Sequence, residues 1–445
     1  MLEFFQNVIN GELDVYVITF TLLFVMVVLL FLSFPMVVPL TVATMIGFLH
    51  FSDLPLQNII QQMITGITPN ALIAIPMFIF AADIMTRGHT ATRLLDLIEV
   101  FIGHYRGGLP ITTCISCTLF GSVSGSTQAT VVSVGSIMRP KLLKAGYKDN
   151  FILGLIINAS DIAWLIPPSI GLILFGVLAN ANIAELFIAG IGPGLILTGL
   201  FSVYCYIYSV MHQDEITLAP KRDWAARFQA VKKSILPMGF PVLIVGGIYS
   251  GAFTPTEAAA FSVLYAIILE VVIYRKLGLS DLIDSSLSTG LITAVVFILV
   301  GAGQAFSWYI SFEMIPQELL GALNLENASP EFILFVISVA FVVGCMFVDS
   351  IVVLLILTPV FMPIIDSSGI DPVLVGVVIT LQMAIGSATP PFGCDIFTAI
   401  AVFKKSYMQV ISGILPFFLI LMLMSAILIF FPDSALFLRD LAFDK

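Results

Sequence analysis

The chain has 445 residues, of which 59% are hydrophobic and only 10% are charged, and its mean hydropathy is +1.09. Soluble proteins carry about 25% charged residues, so this composition excludes a soluble globular protein and a nucleic-acid-binding protein. The net charge of -10 identifies no partner, because acidic and basic residues of a membrane protein face opposite sides. The composition predicts an all-α polytopic membrane protein, since lipid offers no hydrogen-bond partner to an open sheet edge.

Apolar runs of about the ~20 residues that cross a bilayer predict the spans in chain order. No basic segment precedes the first run, so the first span is expected to be retained rather than cleaved as a signal peptide. Two stretches, 109–138 and 330–362, are interrupted in the middle and are interpreted as re-entrant hairpins. The segment 211–234 is predicted to be a cytoplasmic loop with an interfacial helix from Trp224 onward. Spans are predicted at 13–33, 36–50, 70–86, 150–178, 187–210, 235–250, 256–274, 289–310, 372–403 and 408–431.

The basic residues sort to one side if both interrupted stretches leave the membrane on the side where they entered. Sixteen of the 18 Lys and Arg residues then share one face, and only Arg439 and Lys445 lie on the other. The positive-inside rule makes the first face cytoplasmic and puts both termini outside. Arg106 and Arg139 flank the stretch 109–138, so a straight crossing would send one of them outside, whereas a hairpin keeps both inside.

Cysteine and histidine indicate neither a metal site nor a catalytic centre. Cys114 and Cys117 form a C-x-x-C pattern, but no second pair or nearby histidine completes a metal-binding set. The five cysteines are therefore expected to be packed, reduced thiols. An intramembrane serine protease needs a histidine or lysine base beside its nucleophile. The predicted spans contain neither, so the chain is not expected to be an enzyme.

The chain contains an internal repeat. Each copy has an interrupted hairpin, a polar turn and a long span broken by Pro-Pro, and the charge map places the two hairpins on opposite sides. The copies are therefore predicted to be inverted, and inverted repeats with Gly/Pro-interrupted spans point to the midplane site of a secondary transporter. At an offset of 223 residues, without a gap, Gly121 falls on Gly344, Pro140 on Pro363, Gly146 on Gly369, and Pro167-Pro168 on Pro390-Pro391.

The breaks in the two copies offer neutral oxygen ligands. In the first copy the tip GSVSGST (121–127) offers hydroxyls, and the segment 163–168 offers carbonyls freed by the proline pair. Such oxygens suit sodium, a hard cation. Gly386, Ser387 and Thr389 offer similar oxygens in the second copy, so a second sodium site is predicted by symmetry. Close helix packing is the alternative for the serines, but their position at a repeated break favours ligands.

Three acidic residues are predicted at membrane depth, where a charge is costly and by default functional. Asp349 falls on Ser126 under the 223-residue offset, while Asp161 and Asp395 lie near the two Pro-Pro breaks. Each is interpreted either as a ligand of a cation or substrate hydroxyl, or as a cap on a broken helix end. A channel is the alternative to a carrier, because small-residue loops also line pores. The inverted halves favour a carrier.

Seven motifs in this order resemble the large membrane subunit of tripartite ATP-independent periplasmic (TRAP) transporters, the DctM type, over about residues 15–430. The resemblance implies an elevator-type carrier of the ion-transporter superfamily, with two re-entrant hairpins and two interrupted helices. It implies sodium as the coupling ion with no other cofactor, a separate small four-helix membrane subunit, and a periplasmic binding protein that delivers substrate at the inner membrane. A stand-alone sodium-coupled carboxylate carrier is the alternative. The motifs are SGSTQAT, GSIMRPKLLKAGY, LIPPSIGLILFG, GAFTPTEAAA, GCMFVDSIVVLLILTPVFMPII, GIDP and TPPFGCDIF.

The resemblance also assigns roles along the chain. It implies scaffold helices at 1–108, a transport-domain half at 109–190, scaffold helices and a cytoplasmic loop at 191–329, a second transport half at 330–405, and a C-terminal helix at 406–445. The first sodium site would use Ser124 and Ser126 with backbone at Ala163, Ile166 and Pro168. The second would use backbone near Gly344 with Gly386, Thr389 and Phe392. The substrate-binding residues would be Asp349, Thr127, Ser169 and Asp395.

Family substrates are organic anions such as four-carbon dicarboxylates, sialic and other sugar acids, and keto acids. Half-helix N-termini at the breaks would attract their carboxylates. No intramembrane Lys or Arg is available in the predicted cavity, so hydroxyls and backbone N–H groups are expected to recognise the substrate. The ligand that the binding protein delivers is expected to determine which substrate is carried. Asp161, Ala163 and Trp164 depart from the family's usual small residues before L-I-P-P, and Asp161 and Trp164 are expected to reflect the particular substrate.

Overall fold

The computed structural model describes residues 15–32, 34–52, 54–322 and 328–443, and every regular element in these ranges is a helix. The predicted first span includes residues 13, 14 and 33, which lie outside these ranges. The prediction that both termini face outside concerns residues 1–14 and 444–445, which also lie outside them.

Five helices precede the first hairpin. The third and fifth were not predicted, because their apolar residues alternate with polar ones and a search for apolar runs does not detect them. The third helix packs on a later long helix, and the fifth packs on the first hairpin. The five are α1 (Val15–Phe31), α2 (Val37–Ile46, continued by a π-turn over Gly47–Phe51), α3 (Gln57–Ile67), α4 (Ala74–Arg87, after a 3₁₀ turn over Asn70–Ile73) and α5 (Thr90–Ile102).

The first repeat forms the predicted hairpin and interrupted helix. Hairpin 1 consists of α6 (Gly108–Ser124) and α7 (Thr127–Lys144), which pack against each other. Interrupted helix 1 spans 149–178 and consists of α8 (Asp149–Ser160), a 3₁₀ turn (Asp161–Trp164) and α9 (Ile170–Leu178).

The central helices are longer than predicted. The helix from Trp224 is continuous through Pro237 and Pro241 to Tyr249, so no break in the helix separates the predicted interfacial part from the span predicted to begin at 235. Both prolines are accommodated without ending the helix. The central helices are α10 (Ile183–Met211), α11 (Trp224–Tyr249), α12 (Pro255–Ile267, continued by a π-turn over Ile268–Ile273), α13 (Leu279–Phe312) and α14 (Ile315–Ala322).

The second repeat reproduces the elements of the first. Hairpin 2 consists of α15 (Pro330–Phe347) and α16 (Ser350–Ser368), and interrupted helix 2 spans 372–403 as α17 (Pro372–Ser387) and α18 (Cys394–Phe403). Under the 223-residue offset, all four helices of this repeat begin within one residue of their counterparts. This agreement confirms the repeat that the Gly and Pro positions predict.

The turn between hairpin and interrupted helix is also the same in both copies. Gly146 and its counterpart Gly369 have φ values of +95° and +70°. This left-handed region strongly favours glycine, because a Cβ clashes with the backbone there. The two glycines are therefore matched for a conformational reason.

The C-terminal part is not the single helix that was predicted. It forms α19 (Tyr407–Ile411), α20 (Leu415–Phe430) and α21 (Asp433–Phe443), with a bend of 58° between the last two. The first break contains Gly413, whose backbone packs against the backbone of Asn150 and leaves no room for a side chain. Among the described residues, seven helices are long and apolar enough to cross a membrane, or eight if α20 and α21 form one span.

Charged contacts show that the two interrupted helices run antiparallel. Asp149 at the start of α8 binds Lys405, which follows the end of α18, at 3.0 Å. At the other end, Arg439 binds Asp371, the residue before α17, and lies 3.9 Å from Glu185 near the start of α10, shortly after α9. The start of each interrupted helix thus lies beside the end of the other, as an inverted repeat requires.

The basic residues predicted to share one face are linked to each other at one end of the molecule. Asp149 binds both Lys405 and Arg139, Lys141 binds Glu99, and further contacts reach the loop after α10. The loop contacts are Arg106 with Gln213 and Lys148 with Glu215. Arg106 and Arg139 therefore lie at the same end, which confirms that the stretch between them folds back.

A single large core contains both hairpins and both interrupted helices. A smaller apolar cluster lies to one side, where α1 and α2 pack against the second half of α13. The large core also includes residues of α4, α5 and α10–α13, whereas α1 and α2 lie outside it.

Candidate ion and substrate site

The tip of hairpin 1 gathers oxygen atoms. Ser126 caps α7 by accepting a hydrogen bond from the Ala129 N–H at 3.4 Å. The Ser124 hydroxyl lies 3.2 Å from the Ser126 carbonyl and 3.1 Å from the Thr130 hydroxyl, which itself donates to the Ser126 carbonyl at 2.8 Å. Three neutral oxygens thus meet within one turn of backbone. Thr130 was not among the predicted ligands. Its position four residues after Ser126 on a helix indicates that the two residues are neighbours, and this spacing could have identified it.

The hairpin 1 tip lies against the break of interrupted helix 1. A Cβ on Gly121 would come within 2.8 Å of Ala163 Cα, and the backbone of Gly125 packs on the Pro168 carbonyl. Pro167 has no N–H to return to the Ala163 carbonyl four residues earlier. The structure therefore places the tip of hairpin 1 beside Ala163 and the Pro168 carbonyl.

The tip of hairpin 2 meets the second break in the same way. The Phe392 N–H donates to the Met346 carbonyl at 3.1 Å, and a Cβ on Gly386 would lie 3.0 Å from the carbonyl carbon of Cys345, which follows Gly344. The Thr389 hydroxyl donates to the Ile385 carbonyl. Gly386 and Phe392 of the second break thus contact Cys345 and Met346, which follow Gly344 at the tip.

Asp349 caps hairpin 2 in the position that Ser126 has in hairpin 1. Its carboxylate accepts the Ile351 N–H at 3.0 Å at the start of α16, and the residue is exposed. Within the described ranges no Lys or Arg forms an ion pair with it. Asp349 therefore caps the helix, as one of the two predicted alternatives states. The exposed carboxylate still has a second oxygen that could contact a ligand.

The other two acids, which are buried, join the repeats to each other. The carboxyl groups of Asp161 and Asp395 are fully buried and lie within hydrogen-bonding reach of each other. Thr127 of hairpin 1 donates to Asp395 at 2.9 Å, and Ser387 donates to Asp161 at 3.0 Å. Two acids in contact away from water require a proton or another cation between them. This contact across the halves could not be found from sequence, because it joins residues 234 positions apart.

The structure also shows the surroundings of Ser169 and of the cysteines. Ser169 is fully buried and caps α9 by accepting the Leu172 N–H at 3.4 Å, so its hydroxyl serves the helix end. The cysteines are free thiols, as predicted, and Cys114 lies 3.9 Å from Cys205 rather than pairing with Cys117.

The chain matches the family described as tripartite ATP-independent periplasmic transporter, DctM component, over residues 23–434. The chain belongs to the DctM family. It is 60% identical over 427 residues to the ectoine/5-hydroxyectoine TRAP transporter large permease of Ruegeria pomeroyi, covering 96% of this chain and 99% of that protein. It is 59% identical over 420 residues to the ectoine TRAP transporter large permease of Halomonas elongata, covering 94% and 98%.

The fold of this DctM protein resembles a solved transporter structure. The YdaH transporter of Alcanivorax borkumensis superposes with a TM-score of 0.63 over 85% of this chain and 89% of its own, at 15% sequence identity. At that identity the likeness concerns the fold alone. The family and the helical architecture make the chain a multi-pass membrane transport permease and not an enzyme.

Proposed function

We propose that this permease carries ectoine or a closely related zwitterion across the bacterial inner membrane, driven by sodium. The single observation that carries the substrate is the 60% and 59% identity to two permeases named for ectoine transport. Ectoine is a small cyclic molecule with a carboxylate and a delocalised amidinium cation. It meets the prediction of a carboxylate substrate, but it is a zwitterion and not a net anion such as a dicarboxylate or sialic acid.

Sodium coupling is supported by the oxygen clusters at the two hairpin tips. The cluster of Ser124, Ser126 and Thr130 beside the carbonyls at Ala163 and Pro168 contains only neutral oxygens. Sodium binds such sets at broken helices of secondary transporters. The second tip, with Gly386 and Thr389, offers a site for a second ion.

The transport step we propose is an elevator movement of the two repeats past the outer helices, with the basic end of the molecule in the cytoplasm. Direct packing between the two repeats, of α18 on α7 and of α16 and α17 on α9, supports movement as one body. As a large permease of a tripartite system, the chain would work with a separate small membrane subunit and a periplasmic protein that delivers substrate.

Competition for uptake tests the substrate. Proteoliposomes that contain the complete membrane complex, with its binding protein and an inward sodium gradient, should accumulate labelled ectoine. A hundredfold excess of unlabelled hydroxyectoine should abolish accumulation, whereas the same excess of succinate or sialic acid should leave it unchanged. No accumulation of labelled ectoine, with accumulation of labelled succinate or sialic acid in the same proteoliposomes, would return the substrate to the organic anions.

A further inference from the structure

A row of four aromatic side chains begins on the second repeat and continues to the start of α19. Ring centroids are 6.0 Å apart for Phe347 and Phe392, 6.4 Å for Phe392 and Phe397, and 6.3 Å for Phe397 and Tyr407. The first three expose 57%, 56% and 45% of their surface. We call these four residues the aromatic row. The exposure of the three phenylalanines shows that their rings are not packed inside the core.

The aromatic row lies beside a charge, so it faces water and not lipid. Asp349 is two residues from Phe347, at the hairpin tip, and the tip contacts the break in the middle of interrupted helix 2 through the Phe392 N–H. The tip is therefore at mid-depth. An exposed carboxylate at that depth is compatible with a water-filled cavity and not with hydrocarbon.

The two repeats differ in side chains at the equivalent positions. Under the 223-residue offset, Phe347, Asp349 and Phe392 fall on Ser124, Ser126 and Ser169. The first repeat has a hydroxyl at each of these three positions, whereas the second has two exposed rings and an exposed carboxylate. The two repeats share their backbone fold but differ in the side chains at these positions. This difference suits each repeat to a different part of a ligand.

The helix ends differ in the same sense. The N-terminus of α16 is already capped by the negative charge of Asp349, whereas the N-terminus of α7 is capped by the neutral Ser126. A helix N-terminus attracts anions. Hairpin 1 is therefore suited to the carboxylate of a substrate, and hairpin 2 is suited to a positive charge.

We infer that Phe347, Phe392 and Asp349 bind the cationic ring of the substrate, an amidinium or similar delocalised cation. This inference rests on the proposed zwitterionic substrate. Rings spaced about 6 Å apart allow one flat cation to lie within about 6 Å of two ring centroids, the range of a cation–π contact. Asp349 supplies the counter-charge. The backbone of Phe392 remains bonded to hairpin 2, so its side chain acts without altering the break.

Equilibrium binding of labelled ectoine to the purified membrane complex, with sodium present and the binding protein absent, tests the inference. Phe392→Leu keeps the side chain apolar but removes the ring, and it should raise the Kd for ectoine about 10-fold, within the range of a cation over an aromatic ring. Phe392→Tyr should stay within about 2-fold of the unchanged protein, because it keeps the ring. Asp349→Asn should weaken binding at least as much as Phe392→Leu.

The matched control is Phe20→Leu. Phe20 is also exposed and stacks on Phe24 with centroids 6.2 Å apart, but it lies on α1. Its substitution should leave the Kd unchanged. An unchanged Kd for Phe392→Leu would overturn the inference, and so would an equal rise in Kd for Phe392→Tyr. In either case, ectoine uptake by the unchanged complex would still support ectoine as the substrate. Failure of the unchanged complex to bind or accumulate ectoine would instead contradict the proposed function.

Discussion

At the scale of single residues, the polar side chains near the breaks have structural roles that the sequence could indicate only as alternatives. Ser126, Ser169 and Asp349 all cap half-helices. The pattern of small polar residues before a helical run predicts such caps. The contact between Asp161 and Asp395 was beyond sequence reasoning, because it depends on how the inverted halves pack.

The Ser124 hydroxyl offers the sharpest residue-scale test of the first sodium site. Ser124→Ala removes an oxygen that lies among the Ser126 carbonyl and the Thr130 hydroxyl. We expect the sodium concentration for half-maximal ectoine uptake to rise about 5- to 30-fold, as for loss of one charge-assisted contact of about 1–2 kcal/mol. The measurement is initial uptake rate against sodium concentration in proteoliposomes.

Ser122→Ala is the matched control, because the Ser122 hydroxyl donates to the Leu119 carbonyl of its own helix at 2.7 Å. It should leave the sodium dependence unchanged. Equal sodium dependence in all three proteins would remove Ser124 from the ion site.

At the scale of helices, the Gly and Pro positions predicted the repeat and its breaks well, because those residues act through the backbone. Gly146 and Gly369 adopt matching left-handed conformations, and the proline pairs interrupt both long helices. The sequence analysis did not predict the amphipathic helices α3 and α5 or the break near Gly413. Their cause is contact with distant segments, which a search for local apolar runs does not detect.

A charge cluster should stabilise the packing of these helices. Asp149 of interrupted helix 1 accepts two hydrogen bonds from Arg139, each at 2.8 Å, and forms an ion pair with Lys405. Burial raises the pKa of Asp149, but the bonds from Arg139 and Lys405 outweigh it and hold the pKa below its usual value. Asp149→Asn should therefore cost about 2 kcal/mol and lower the melting temperature of the purified complex by several degrees.

The lowered pKa of Asp149 also predicts how its contribution to stability changes with pH. A carboxyl whose pKa is held low in the folded state stabilises the fold above its ordinary pKa, and that stabilisation is lost as pH falls through the lowered value. The difference between Asp149→Asn and the unchanged protein should be full at pH 7 and shrink below about pH 4. Glu215→Gln is the control, since the Glu215–Lys148 pair spans 3.6 Å and is more than half exposed. An equal loss in both variants at pH 7 would show that the cluster has no special role.

At the scale of the whole molecule, the two halves run in opposite directions and share one core. The proposed binding sites at the two hairpin tips then lie near the middle of the molecule, the position that alternating access requires. Composition and charge predicted the membrane class and the clustering of basic residues at one end. They could not predict the substrate, because under our inference its recognition depends on a few side chains that differ between the repeats, such as Phe392 and Asp349.

The most direct test of a sodium-driven carrier is the electrical behaviour of the reconstituted complex. Ectoine has no net charge, so cotransport with sodium moves positive charge inward. With binding protein present, uptake should require an inward sodium gradient, should accelerate when the vesicle interior is made negative, and should show no single-channel current. Uptake that persists without sodium, or a steady conductance without ectoine, would contradict the account.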